Sequence, residues 1–180
     1  MKPLILIAFI FFNLHSFGQK GGMDYDSLIR AREEQAVGKK FPNFSSVYKG
    51  TVFSNKDLEG KTVFINFWFA TCPPCMSEMP ALNDLYDSLK TKPNFEFISF
   101  TYDPQPTIDS VTKLYNIQYK ILQIKQQDCY RLNQNSGFPT SIILGASGNI
   151  KFLKVGGYTE EAKASKSVFG LFYTRLISEL

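Results

Sequence analysis

The sequence predicts an α/β domain: a central mixed β-sheet of four or five strands flanked by helices, preceded by an N-terminal hairpin and helix. Three observations carry this. Val63-Phe64-Ile65-Asn66-Phe67-Trp68 is a nearly continuous β-favouring apolar run, as expected of a central strand buried on both faces. Segments with apolar residues at helical spacing alternate with such runs along the chain. Finally, Thr140–Leu144 and Ile150–Val155, joined through Ala146-Ser147-Gly148-Asn149, read as an antiparallel hairpin, so the sheet is not purely parallel.

Taken in order, the chain opens with Met1-Lys2-Pro3 and an apolar run from Leu4 to Phe12, then Asn13 to Gly18 with small residues at Ser16 and Gly18. One positive charge before a short greasy stretch is the pattern of a secretory signal peptide, expected to be cleaved after Gly18. The run is roughly half of the about 20 residues that a spanning helix needs, so an uncleaved anchor is the lesser reading. No Cys marks a lipoprotein cleavage point. Residues 1–18 are thus a leader, 19–36 an extension carrying a helix, and 37–180 the main domain. A cleaved chain would work outside the cytoplasm, in the periplasm.

From Met23 a helical pattern places Tyr25, Leu28, Ile29 and Ala36 on one face, with Arg30, Glu33 and Glu34 largely off it, and Gly38 ends the run. Phe41-Pro42-Asn43-Phe44 is extended, because Pro42 disfavours helix at Phe41. Gly50 to Phe53 is a short strand, followed by a polar turn through Asn55. After the central strand a helix runs from Pro73 to Lys90 with the stripe Met79, Leu82, Leu85, Tyr86 and Leu89. Phe95–Phe100 is the next strand, Pro106–Tyr115 a helix, Ile121–Ile124 a weak strand and Asp128–Asn133 a short helix. Gly156-Gly157 breaks the hairpin's second strand. From Thr159 a last helix carries Val168, Phe172 and Leu176 at four-residue spacing.

Composition then narrows the chemistry. The single histidine, His15, lies in the leader, so the remaining chain has none. That excludes Ser-His-Asp triads, Cys-His proteases, HExxH metalloenzymes and His-ligated metal sites. The net charge of +4 includes Lys2 of the leader, and the basic residues are scattered apart from Lys39-Lys40, which is no nucleic-acid footprint.

The strongest motif is Cys72-Pro73-Pro74-Cys75, where the central strand gives way to the long helix. A helix start favours an anion, so the first sulfur becomes a thiolate at accessible pH, and the second lies one turn on. The proline pair costs nothing in a first turn whose N–H groups lack partners anyway. Zinc is the weaker reading, since it takes four ligands and the only other cysteine is Cys129. A structural bridge would close a very short loop and stabilise little. The pair therefore reads as a reversible dithiol/disulfide.

At this point the sequence resembles the TlpA/ResA-like branch of thioredoxin-family thiol:disulfide oxidoreductases. Asn66-Phe67-Trp68-Phe69-Ala70-Thr71-Cys72-Pro73-Pro74-Cys75-Met76-Ser77-Glu78-Met79-Pro80 is similar to its active-site segment, Val37 to Phe44 to the segment leading into its fold, and Gly137-Phe138-Pro139-Thr140 to its cis-proline loop. The resemblance runs from about Val37 to Leu180. It implies a thioredoxin-like fold, with Cys72 as the more exposed attacking thiolate and Cys75 as the resolving cysteine. It also implies that Thr71, Phe138 and Pro139 border the bound substrate, Pro139 in the cis form, and that Pro80 kinks the active-site helix.

Two positions refine the branch. Cytosolic thioredoxins place a buried Asp six residues before the first cysteine; Asn66 stands here and cannot titrate. The TlpA/ResA-like proteins carry a Glu three residues after the second cysteine, here Glu78, which shares a helix face with Cys75 and would exchange its proton. A solvated surface Glu is the alternative. The sequence departs from the family at Thr71, where a Trp is usual.

The resemblance implies a reductase of exported protein disulfides, such as apocytochrome c, drawing electrons from a membrane thiol transporter of the CcdA/DsbD type and needing no cofactor or metal; a monomer is an expectation that the resemblance itself does not supply. A disulfide oxidase or isomerase carries the same motif. A peroxiredoxin-type peroxidase lacks a partner cysteine at this spacing, and a copper chaperone of the Sco type, a binding protein rather than an enzyme, needs Cys-x-x-x-Cys and a His. Cys129 reads as a buried apolar cysteine, with a regulatory thiol as the alternative.

Overall fold

The structure is a computed structural model, which describes residues 24–180. The leader, its expected cleavage after Gly18, His15 and the helix start at Met23 lie outside the described residues.

Helix α1 (Tyr25–Ala36) begins at Asp24, whose carboxylate accepts the N–H of Ser27 at 2.7 Å. Its expected apolar face is only partly right. Ala36 is buried and Ile29 half-buried, but Tyr25 and Leu28 are exposed. Glu33, assigned to the outer face, instead points at the sheet edge. It accepts the N–H of Val155 at 2.9 Å and pairs with Lys154 at 3.0 Å. The helix caps an edge strand, so a carboxylate that satisfies a free strand N–H does what an apolar stripe would do over a sheet face.

Next come β1 (Ser45–Tyr48) and β2 (Thr51–Ser54), a separate two-stranded antiparallel sheet. Lys49 and Gly50 between them both have positive φ, the geometry of a tight hairpin turn. Only the second strand is legible by periodicity, because Ser45-Ser46-Val47-Tyr48 is half polar and barely buried.

The central sheet has five strands: β3 (Thr62–Phe67), β4 (Phe95–Thr101), β5 (Lys120–Gln123), β6 (Thr140–Leu144) and β7 (Ile150–Val155). Their spatial order is β5-β4-β3-β6-β7. The first three run parallel, and β6 and β7 antiparallel to their neighbours. Helices α2 (Pro73–Leu89), α3 (Gln105–Tyr115) and α4 (Gln126–Leu132) fall between the strands, and α5 (Glu161–Val168) and α6 (Thr174–Glu179) close the chain. The expected single last helix is interrupted by a π-turn at Phe169–Tyr173. That wider turn keeps Val168, Phe172 and Leu176 all buried.

All six residues of β3 are buried, and their alternation divides the core in two. Phe64 joins Trp68, Phe97 and Ile143 against Met79, Leu82, Leu85 and Leu89 of α2 and the closing helices. Val63, Ile65 and Phe67 join Ile98 and Phe100 on the opposite face, against Phe41, Phe44, Leu58 and α4. The sheet thus presents the end of β3 and the start of α2 at one rim.

Candidate active site

Strand β3 runs into the loop Trp68–Thr71, and α2 begins directly after Cys72. Cys72 is the residue that caps the helix: its Sγ accepts the N–H of Cys75 at 3.3 Å. Pro73 and Pro74 fill the first two helical positions and supply no N–H, so the N–H of Cys75 is the first donor the helix offers. The two cysteines form a disulfide, with Cα atoms 5.3 Å apart. When the bond opens, the same N–H and the helix dipole face the sulfur of Cys72 and favour its thiolate. Cys72 is the more exposed of the two, but only at 4% against 1% for Cys75, so in the disulfide form both are buried. Both pack into the core cluster that contains Trp68 and Met79.

The loop ahead of the cysteines is tied from the side. Asp103, just beyond β4, accepts the N–H of Ala70 at 2.6 Å. Tyr102 stacks on Phe69 with ring centroids 5.5 Å apart, and Phe138 meets both at 5.2 and 5.8 Å. Tyr130 adds a fourth ring at 5.5 Å from Phe138. Thr71 is exposed and contributes no ring. Phe69, Tyr102 and Phe138 are half-buried and Tyr130 is exposed, and the rings bring the segment before Cys72 together with the segment before Pro139.

The Phe138–Pro139 peptide is cis, and the Pro139 carbonyl accepts the N–H of Gly156 at 2.8 Å. Glu78 lies one helical turn beyond Cys75 and is buried, at 4% exposure. Burial pushes its carboxyl up to about 8, and among the described residues no charged partner lowers it. Tyr119 is buried nearby. Burial and then the charge of Glu78 raise its hydroxyl, which donates to Met79 Sδ at 3.4 Å.

Beneath the site, Asn66 is in register with Ser99 and Ser141 across three strands. Its amide donates to Ser141 Oγ at 3.1 Å, while its buried Oδ1 has no partner among the described residues. Trp68 is fully buried and donates to Ser99 Oγ at 3.2 Å. Cys129 is also fully buried, and burial foremost pushes its thiol up to about 12. A cleft of about 1170 Å³ beside the β1–β2 hairpin is lined by Tyr48, Ile108 and Ile121 and takes in none of the cysteine-site residues. Among the described residues, no group of three His, Cys, Asp or Glu side chains is placed to hold a metal.

Sequence reasoning did not assign roles to Phe69, Tyr130 or Gly157, whereas Tyr102-Asp103, directly after β4, is a pair the sequence places within reach of the site. Phe69 lies inside the motif and is readable there; Tyr130 and Gly157 are brought in only by the fold.

A disulfide at the head of a helix, next to a cis-proline on this mixed sheet, defines a class of protein: the thiol:disulfide oxidoreductases of thioredoxin-like fold. The match to known proteins is narrower. Residues 36–168 match the Redoxin family, so the chain belongs to that family, and within it the chain is a TlpA/ResA-like enzyme. It is 29% identical over 163 residues to the thiol-disulfide oxidoreductase ResA of Bacillus cereus, spanning 89% of this chain and 94% of that one. It is 30% identical over 139 residues to ResA of Halalkalibacterium halodurans, spanning 76% and 78%. Among solved structures, the thioredoxin domain of a thiol-disulfide oxidoreductase from Bacteroides vulgatus superposes with a TM-score of 0.61 at 25% identity. That superposition covers 74% of this chain and 98% of the other.

Proposed function

We propose that the chain reduces disulfides in exported proteins, from an extracytoplasmic position that it reaches through a signal peptide at residues 1–18. Residues 37–180 form the catalytic domain and 19–36 an extension of it. The observation that carries the reading is the buried carboxyl of Glu78, one turn from a cysteine pair whose first sulfur caps α2. Among the described residues, no helix is long and apolar enough to cross a membrane.

In the reduced enzyme, the Cys72 thiolate attacks one sulfur of the substrate disulfide. A mixed disulfide forms, and the substrate's other sulfur leaves as a thiolate and takes up a proton. The ionised form of Glu78, whose carboxyl burial raises to about 8, accepts the proton of Cys75. The Cys75 thiolate then attacks Cys72 Sγ, which closes the Cys72–Cys75 disulfide and releases the substrate as a dithiol. Phe138 and Pro139 border an extended substrate segment, and Thr71 lies at its edge. Two electrons from a membrane thiol transporter of the CcdA/DsbD type reopen the disulfide. Reduction of apocytochrome c or of other envelope proteins fits this cycle.

Equilibrating the Cys72–Cys75 couple against glutathione tests the direction. A potential near the about −270 mV of thioredoxin supports a reductase, whereas one near the about −120 mV of a strong oxidant reassigns the chain as an oxidase.

A further inference from the structure

We infer that Gly157 is a positioning residue: because it carries no side chain, it leaves the space in which the Glu78 carboxyl sits beside Pro139. This rests on the proton role proposed for Glu78 and identifies what holds that group in place.

The two glycines after β7 are glycine for different reasons. Gly156 has φ +82, a conformation that side chains disfavour. Gly157 is not in that region, so its backbone would accept alanine. The obstacle is occupancy. A Cβ on Gly157 would overlap Glu78 Oε1, and would lie 3.1 Å from its Cδ and 3.0 Å from Cγ of Pro139.

The loop cannot easily back away. On one side, the N–H of Gly156 donates to Pro139 O at 2.8 Å. On the other, Ser77 Oγ of α2 lies 2.8 Å from Thr159 O and 3.1 Å from Pro73 O, so the loop is tethered to the same helix that carries Glu78. The Pro139 ring is rigid. Of the groups around this point, only the Glu78 side chain has torsions free to turn. Gly156 to Thr159 are exposed, so a displaced carboxyl moves toward water.

The groups that titrate around Glu78 are few. Cys75 lies on its own helix and Cys72 caps it, both held in a disulfide that does not titrate until it opens, and Tyr119, just ahead of β5, is near enough for the charge of Glu78 to raise its hydroxyl. From the adjoining loop and α5, Tyr158, Glu160, Glu161 and Lys163 are exposed, and Glu160 pairs with Lys163 at 2.8 Å. A methyl at position 157 therefore acts on the carboxyl by hydrating it and not by adding charge.

The experiment is Gly157→Ala in the full chain, read by carboxyl-carbon NMR titration of Glu78 in the oxidised protein, with the signal assigned by its loss in Glu78→Gln. The expected result is a midpoint lowered by roughly one pH unit or more, toward the ordinary carboxylate range. Insulin disulfide reduction should slow several-fold in Gly157→Ala, yet the same change should add nothing in a Glu78→Gln background. Combining it with Ser77→Ala, which frees the loop, should return the midpoint toward that of the unsubstituted protein. An unchanged midpoint in Gly157→Ala would overturn the inference, as would an equal rate loss in the Glu78→Gln background. If Glu78→Gln alone leaves the pH profile of reduction unaltered, the proton role of Glu78 fails, and a shifted titration in Gly157→Ala still establishes the seat.

Discussion

The carboxylate of Asp103 holds the backbone N–H of Ala70 at 2.6 Å, which ties the loop entering the cysteine pair to the end of strand β4. Thr101 supports the tie: its hydroxyl lies 3.3 Å from the same carboxylate and accepts the N–H of Asp103 at 3.2 Å. A loop that must present Cys72 at one angle to α2 is thereby anchored from outside the helix.

Removing that anchor with Asp103→Ala should leave a half-buried N–H unpaired. The expected loss is about 1–3 kcal/mol of unfolding free energy, measured by urea titration. Insulin reduction should slow as well. A variant with unchanged midpoint and slope in urea would mean that water replaces the carboxylate at no cost.

In the reduced protein near neutral pH, iodoacetamide should label Cys72 well before Cys75. Only Cys72 sits at the helix head with the N–H of Cys75 directed at its sulfur. Peptide mapping that found Cys75 or Cys129 modified first would reverse the roles given to the two active-site cysteines.

Cys75→Ser should attack disulfides without finishing, so that mixed disulfides accumulate through Cys72. Cys129→Ser should instead leave insulin reduction largely intact, since the Cys129 thiol is fully buried and raised to about 12. Loss of turnover in a folded Cys129→Ser protein would require a three-cysteine relay.

Glu78 makes a prediction for stability as well as rate. Its carboxyl rises from 4.5 to about 8 on folding, so the folded state holds a proton that the unfolded chain releases. Its contribution is complete below about pH 4.5 and is lost as pH rises through about 8. A tenfold change in proton affinity corresponds to about 1.4 kcal/mol, so the ionised form is penalised by several kcal/mol. Glu78→Gln should remove this slope, leaving a protein that is more stable at alkaline pH. It should also slow reduction several-fold and change its dependence on pH between about 5 and about 9. Chemical denaturation and stopped-flow rates across that range check both; superimposable profiles would mean that the proton of Cys75 leaves by water.

Most of the framework was legible because it follows from neighbours in sequence. The apolar run of β3, the stripe of α2 and the β6–β7 hairpin each carry their own period, and each lies within a residue or two of its expected place. The exceptions share one cause. Strand β1 is half polar, α1 docks on a strand edge through Glu33, and the last helix contains a π-turn; in each case the packing partner, not the local period, decides the outcome.

By itself, the sequence determined the reactive pair and its setting. Two cysteines one turn apart, at the junction of a buried strand and a helix, need only local geometry to become a dithiol switch. Tertiary structure alone decided the surroundings of that switch. The depth of Glu78, the close approach of its carboxyl to Gly157, the tie from Asp103 to Ala70 and the rings of Phe69, Tyr102, Tyr130 and Phe138 all join segments far apart in the chain. Burial and steric occupancy belong to the folded arrangement as a whole, and no stretch of the sequence encodes them locally.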